Sequence, residues 1–408
     1  VNPDPGDGFV DNQSEKTGVK IMIKENLASA PSSETTESPE SRSESRSKNG
    51  LKRRSFLKGM GMAGAALTGG SLLAAASETA QTTGIITSGD VAILRFVAAA
   101  ELIETDLWQQ YAELGGLTPG QLPVETAPFT PMNSYQAAFM NLDPDGPQYI
   151  SSNTGDEASH AAFLNAYLIS IGAEPVDLDA FRTLPSSQAT GAQQIGRLTN
   201  LMNLTVDTSW YTRYRSALNP DLGATFPQAI DLVNVTGIPR TNADFKPKNH
   251  VQAIANTAAF HFGTIEQGGS TLYSAFAQKA TNLEVLRILV SIGGDEVAHL
   301  VEWVDFAGNG VQPPVAPFTD PTNGLTFPNF DKTVNPALQT NLIFPVPCEF
   351  ISPSLPVCAV IRPTDPTGIA GAVVDFLTAM NLFDGQSPEF FKTFTTLAKQ
   401  ADAAKRGF

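Results

Sequence analysis

Two short stretches of this chain share one pattern: Gly155-Asp156-Glu157-Ala158-Ser159-His160 and Gly294-Asp295-Glu296-Val297-Ala298-His299 both read Gly-Asp-Glu-x-x-His. Three residues is about one helical turn, so within a helix the Glu carboxylate and the His imidazole project from one face, one above the other. That face is otherwise apolar. Leu164, Tyr167, Leu168 and Ile171 follow the first motif, and Val285, Ile288, Leu289, Ile292 and Trp303 surround the second. A buried charge is costly unless it is paired or bound to a metal, so an ionisable pair placed twice in an apolar stripe calls for a chemical reason.

The elements that must carry these pairs are four long helices. The first spans about 88–114, capped by Ser88 or Asp90, with Ile93, Val97, Ala100, Glu101, Glu104, Trp108 and Tyr111 along one stripe, and stops at Gly115-Gly116. A shorter piece near Ser134–Asn141 precedes the second, about Pro147–Gly172, which carries Glu157 and His160. The third, about Asn249–Ala280, places Ala255, Ala259, Phe262, Glu266, Tyr273 and Ala277 on one stripe, and the fourth, about Asn282–Phe306, carries Glu296 and His299. Between the second and third, residues 173–248 read as a long crossover with shorter helical runs of its own, such as Gln194–Leu218. Residues 309–408 form a Pro- and Phe-rich arm, irregular or short-stranded to about 365 and finishing in two helical runs over Thr367–Ala404. The expected fold is therefore all-α, a four-helix bundle over 88–308 with a long crossover and a C-terminal extension packed on it.

Collected from the apolar stripes, the ligating side chains are Glu101, Glu157, His160, Glu266, Glu296 and His299. This is the ligand inventory of a dinuclear carboxylate site in a four-helix bundle. Hard carboxylates neutralise two divalent ions, one imidazole per ion completes the ligand set, and positions remain open for water or dioxygen. Glu104 also faces inward. Glu101 is preferred to it because Trp108 follows Glu101 by seven residues just as Tyr273 follows Glu266. Any one Glu-x-x-His alone is ordinarily a surface pair, and the competing reading of both together is a hydrogen-bonded polar core without metal. Trp108, Tyr273 and Trp303 are first of all core-filling aromatics. His250 begins a helix, and His261 lies about 140° around from Glu266, so neither joins the set, and both read as structural or exposed. Gly268-Gly269 inside the third helix weakens it, and small residues there let the backbone approach a neighbour.

With 408 residues, 42% of them apolar, the chain can bury a sizeable core. Its net charge of −15 belongs to the folded part, because residues 1–76 carry ten Lys or Arg against nine Asp or Glu. Nucleic acid is excluded as a partner by the lack of a basic face; the acidity concentrates cations instead. No Gly-rich phosphate loop, nucleophile elbow or Cys-His pair is found on the motif spacings. Residues 1–50, rich in Ser, Glu, Pro and Asn, have the composition of a disordered leader, in which Met22 is a candidate start. Residues 51–76 resemble a twin-arginine export signal: Lys52-Arg53-Arg54-Ser55-Phe56-Leu57-Lys58, an uncharged Gly/Ala-rich run, then Ala74-Ala75-Ala76 as the cleavage site. The competing reading of that run is a membrane anchor, which its weak apolarity and short length disfavour. The implied partner is the export machinery, the implied compartment is periplasmic or extracellular, and no membrane span stays after cleavage. In that compartment Cys348 and Cys358, nine residues between them, would pair as one disulfide.

Four segments together carry a family resemblance. Ala100-Glu101-Leu102-Ile103-Glu104 through Trp108, Asp156-Glu157-x-x-His160, Ile265-Glu266 through Tyr273, and Asp295-Glu296-x-x-His299 resemble the ferritin-like superfamily. In particular they are similar to exported bacterial ferritin-like domain proteins related to plant desiccation-related proteins. The resemblance covers about 88–175 and 249–308. It implies two metal ions, iron first and manganese as a variant, reacting with dioxygen or peroxide or oxidising Fe(II) in envelope stress defence. It also leaves room for a protective structural protein without turnover. The long crossover and the arm depart from compact ferritins. The Asp before each ligand Glu is turned about 100° around the helix, which suggests that Asp156 accepts a hydrogen bond from His299 and Asp295 one from His160, fixing the tautomers that bind metal.

Overall fold

The computed structural model describes residues 84–117, 130–213, 222, 226–309, 317–330, 345–346 and 351–407. The leader, the twin-arginine stretch and Cys348 lie outside the described residues; Cys358 is exposed. The fold is mostly helical with a few short strands.

Helix α1, Ser88–Gly115, starts at a capping box. Thr87 Oγ1 accepts from the Asp90 amide at 3.0 Å, and the Asp90 carboxylate accepts from the Thr87 amide at 2.9 Å. The cap is thus Thr87, not Ser88 or Asp90. Asp90 reads further, since its other oxygen takes the Thr281 amide at 2.8 Å and so ties the start of α1 to the turn between the last two long helices. Helix α2, Ser134–Leu142, leads into α3, Gly146–Ser170, which has Pro147 in its first turn, where the missing N–H costs nothing. After the crossover come α5, Lys248–Ala277, buried on nearly every side, and α6, Leu283–Val304, capped by Asn282. Helix α1 packs along α3 and α5 along α6.

The crossover corrects one expectation. The described part of Gln194–Leu218, residues 194–213, is not one helical run: only α4, Trp210–Arg213, is helical there, and Leu204–Val206 is a strand, β1, paired antiparallel with β2, Leu232–Val235. The cause is a buried carboxylate on α1. Asp106 accepts the amides of Leu198 and Thr199 at 3.1 and 2.9 Å, and the Thr199 hydroxyl at 2.7 Å, while Arg182 neutralises it at 2.7 Å. Amides held by a carboxylate are withdrawn from a helix ladder, and β-branched Thr205 and Val206 favour the strand that follows. Arg197, itself buried, pairs with Glu113 of α1 at 2.5 Å.

The arm contributes two more two-stranded ladders, β3 (Phe318–Thr319) with β4 (Thr326–Phe327) and β5 (Pro345–Val346) with β6 (Cys358–Ala359). Helices α7, Ile369–Ala379, and α8, Pro388–Asp402, close the chain, and α8 lies against α1. There Phe394 stacks on Phe96 with ring centroids 5.4 Å apart.

Candidate metal centre

Helix α1 supplies Glu101, α3 supplies Glu157 and His160, α5 supplies Glu266, and α6 supplies Glu296 and His299; all six are buried. Their side chains meet in two overlapping groups. Glu101, Glu157, His160 and Glu296 offer four donors within 4.8 Å of one another, and Glu157, Glu266, Glu296 and His299 offer four more. Glu157 and Glu296 belong to both groups. The arrangement is a pair of terminal sets, Glu101 with His160 and Glu266 with His299, joined through two shared carboxylates.

Both imidazoles turn Nδ1 inward. His160 Nδ1 lies 3.3 Å from Glu157, 3.4 Å from Glu101 and 3.8 Å from Glu296, and His299 Nδ1 lies 3.2 Å from Glu157 and 3.3 Å from Glu266. The outer nitrogens face the aspartates across the α3–α6 gap. Asp295 is 3.2 Å from His160 Nε2, and Asp156 is 3.5 Å from His299 Nε2. Each half of the repeat therefore orients the imidazole of the other, leaving Nδ1 free to ligate. Asp295→Asn is expected to weaken metal binding about 10- to 100-fold without unfolding the chain, which titration of the purified variant with Fe(II) or Mn(II) measures.

Two observations bear on whether these residues fit metal ions. Three carboxylate oxygens, Glu266 Oε1 and both of Glu296, are buried without a hydrogen-bond partner among the described residues, and Glu101 Oε2 and Glu157 Oε1 are buried with only an imidazole Nδ1 beside them, at 3.4 and 3.2 Å. Unpartnered buried carboxylate oxygens are expensive, and divalent ions are the partners that four converging carboxylates suit. The second observation is a cradle. A Cβ built on Gly269 would overlap the Glu296 carboxylate, within 2.8 Å of its Cδ and closer still to Oε2. The glycine that weakens α5 thus makes room for a shared ligand. Gly269→Ala is expected to leave the fold intact, because the flexible end of Glu296 yields and Ala favours the helix by about 1 kcal/mol. Metal affinity is expected to fall, and a melting curve paired with a metal titration separates the two effects.

The electrostatics agree with that fit. Desolvation, then the charge of Glu101, pushes the Glu157 carboxyl up to about 8. Desolvation and the neighbouring carboxylates hold Glu296 well above the usual range. Burial opposes a charge on His160, but the hydrogen bonds and charges of Glu101 and Glu157 outweigh it and raise the imidazole to about 10. His299 is raised by the same balance, with burial overruled by Glu266, Asp156 and Glu157. Without metal, protons take the place of cations.

Glu104, one turn beyond Glu101, enters neither four-donor group. Desolvation and then Glu157, Glu101 and Glu266 hold its carboxyl well above the usual range. The Tyr273 hydroxyl donates to Glu101 Oε1, and burial followed by the charges of Glu101 and Glu296 keeps that phenol protonated. Trp108 and Trp303 stack 5.3 Å apart, one turn past Glu104 and His299 respectively, and Phe262 packs 4.9 Å from Trp108. The other two histidines stay outside, and both are buried rather than exposed. His250 Nδ1 faces Asp320 at 2.9 Å and clasps the arm to α5, while His261 lies in the core beside Tyr111. Sequence reasoning missed which carboxylates are shared and what Gly269 makes room for; the only signal for the latter was a glycine pair inside a helix. Searches against family models, curated proteins and solved structures found no match to this chain.

Proposed function

We propose that the chain is a ferritin-like four-helix bundle protein that holds two divalent metal ions, iron first and manganese second, and oxidises Fe(II) or consumes dioxygen or peroxide. The observation that carries this reading is the set of four buried carboxylates converging from four helices beside two inward Nδ1 atoms, with Glu266 Oε1 and both oxygens of Glu296 unpartnered among the described residues. A metal-free polar core would satisfy those oxygens with hydrogen bonds instead. Glu101 and His160 would hold one ion, Glu266 and His299 the other, with Glu157 and Glu296 shared. Bound ions would supply Lewis acidity and a redox pair. The protein's own part is to neutralise them with four carboxylates, orient the imidazoles through Asp156 and Asp295, and keep the site walled by apolar side chains. Export by the twin-arginine route, suggested by residues 51–76, would deliver the protein to the cell envelope already folded and loaded. Among the described residues no helix is long and apolar enough to cross a membrane.

The test is anaerobic Fe(II) loading of the purified protein followed by oxygen. Uptake of two irons per chain with a ferric absorption band, both lost in Glu266→Ala or His299→Ala, supports the reading. Uptake no greater than that of those variants overturns it.

A further inference from the structure

A second pair of buried polar groups takes no part in the carboxylate cluster. Tyr111 and His261 are both fully buried, and the phenol oxygen lies 2.7 Å from His261 Nδ1. On its other side, His261 Nε2 meets Met380 Sδ at 3.0 Å. A thioether accepts weakly and has no proton to give, so the ring proton sits on Nε2 and Nδ1 presents its lone pair. Burial keeps this imidazole neutral, with its pKa drawn down to about 3, and pushes the Tyr111 phenol well above its ordinary value. The bond is therefore a phenol O–H donating to a neutral imidazole. Such a phenol gives up an electron more readily when its proton leaves with it, because the oxidised phenol is a far stronger acid than an imidazolium, even one whose pKa burial has drawn down to about 3.

The rings beside it lead to the cluster. Trp108 lies 5.9 Å from Tyr111 and 5.3 Å from Trp303, centroid to centroid. Trp303 is about one helical turn from His299 and Trp108 about two turns from Glu101, members of the carboxylate–imidazole set on the same helices. Neither indole N–H has a hydrogen-bond partner among the described residues. Of these three rings, Tyr111 alone carries a base for the proton that oxidation releases.

We propose that Tyr111 and His261 form a proton-coupled redox pair that delivers single electrons, through Trp108 and Trp303, to an oxidant generated at the carboxylate cluster. The source of the oxidant, dioxygen or peroxide reduced at the centre, rests on the function proposed above. In the step, Tyr111 loses one electron to that oxidant, its O–H bond breaks, and the proton passes to His261 Nδ1, leaving a neutral phenoxyl and an imidazolium. A one-electron donor of the hydroquinone class reverses it: the phenoxyl takes the electron and recovers the proton from His261. Met380 also lines a cavity of about 500 Å³ with Phe376, Leu232 and Val206, which gives such a donor a place to approach the pair.

The test uses the full chain in two arms. In metal-free protein with Trp210→Phe, so that Trp108 and Trp303 are the remaining indoles, flash photoionisation makes an indolyl radical. Its conversion to phenoxyl is followed by transient absorption. Conversion that slows in deuterated water, slows again in His261→Gln and disappears in Tyr111→Phe supports the pair; unchanged phenoxyl formation in Tyr111→Phe overturns it. In the second arm, iron-loaded protein without the Trp210 change is mixed with peroxide and freeze-quenched for electron paramagnetic resonance. A tyrosyl signal lost in Tyr111→Phe and kept in Tyr273→Phe supports the link to the cluster; a signal that follows Tyr273 overturns it. Failure of iron uptake counts against the proposed function, and the flash result then decides the pair by itself.

Discussion

Glu157→Gln and Glu296→Gln are each expected to abolish binding of both metal ions, whereas Glu101→Gln and Glu266→Gln leave one ion bound. The asymmetry follows from membership. Glu157 and Glu296 belong to both four-donor groups, while Glu101 and Glu266 belong to one each. On the proposed two-ion reading, removing a carboxylate common to both groups would take a donor from each ion's set at once. The loss should exceed the about 10- to 100-fold typical of an outer hydrogen-bond partner. The same two substitutions are expected to raise the melting temperature of the metal-free protein, because a neutral amide replaces a carboxyl that desolvation and neighbouring charges disfavour as an anion. Metal analysis of the four variants, alongside melting curves in chelator, checks both halves. Equal metal loss in all four variants would refute the shared-ligand assignment.

Metal-free protein is expected to lose stability as pH rises, and divalent metal to reverse that trend. The ordinary value of 4.5 for Glu157 moves to about 8 in the fold, and the 6.5 of His160 moves to about 10. Both shifts mean that the folded chain holds protons that the unfolded chain has released. Stability therefore falls with pH across both windows, from 4.5 to about 8 for Glu157 and from 6.5 to about 10 for His160. The net fall is steepest above 6.5, because below it the buried neutral His261, drawn down to about 3, contributes in the opposite direction. Metal ions compete for the same atoms, so their affinity rises over the same span and binding expels protons. At a free metal concentration 1,000 times Kd, binding contributes about 4 kcal/mol, a melting shift of roughly 5 °C for a chain this size. That shift should grow from mildly acidic to mildly alkaline solution. Calorimetry in buffers of different ionisation enthalpy counts the protons released; zero release would contradict the scheme.

The legible part of the centre was local. Glu and His three residues apart on one helical stripe read directly as a pair on one face, because the helical repeat fixes their relative direction whatever the helix later packs against. Glu266 was readable as the one charge in the apolar stripe of α5. The extent of α1, α3, α5 and α6 was readable to within a few residues from period and caps. Gln194–Leu218 was not, because its fate depends on Asp106, a carboxylate on α1 far away in the chain, which takes the amides of Leu198 and Thr199. The cap of α1 was misplaced by one residue or more for a plainer reason. Thr87, Ser88 and Asp90 are all cap-forming types, and the reciprocal Thr87–Asp90 bonds decide among them.

By itself, then, the sequence determined the inventory: two Glu-x-x-His pairs, a partner Glu on each of two further helices, and an aspartate turned aside from each ligand Glu. These follow from spacing along single helices. Only the tertiary structure decided that Glu157 and Glu296 are the shared carboxylates, that Glu101 rather than Glu104 reaches the cluster, that the aspartates cross between α3 and α6, and that Gly269 clears the space Glu296 fills. Each of those depends on the height at which one helix slides against another. That height is set by side-chain packing between segments far apart in the chain, and no period within one segment encodes it.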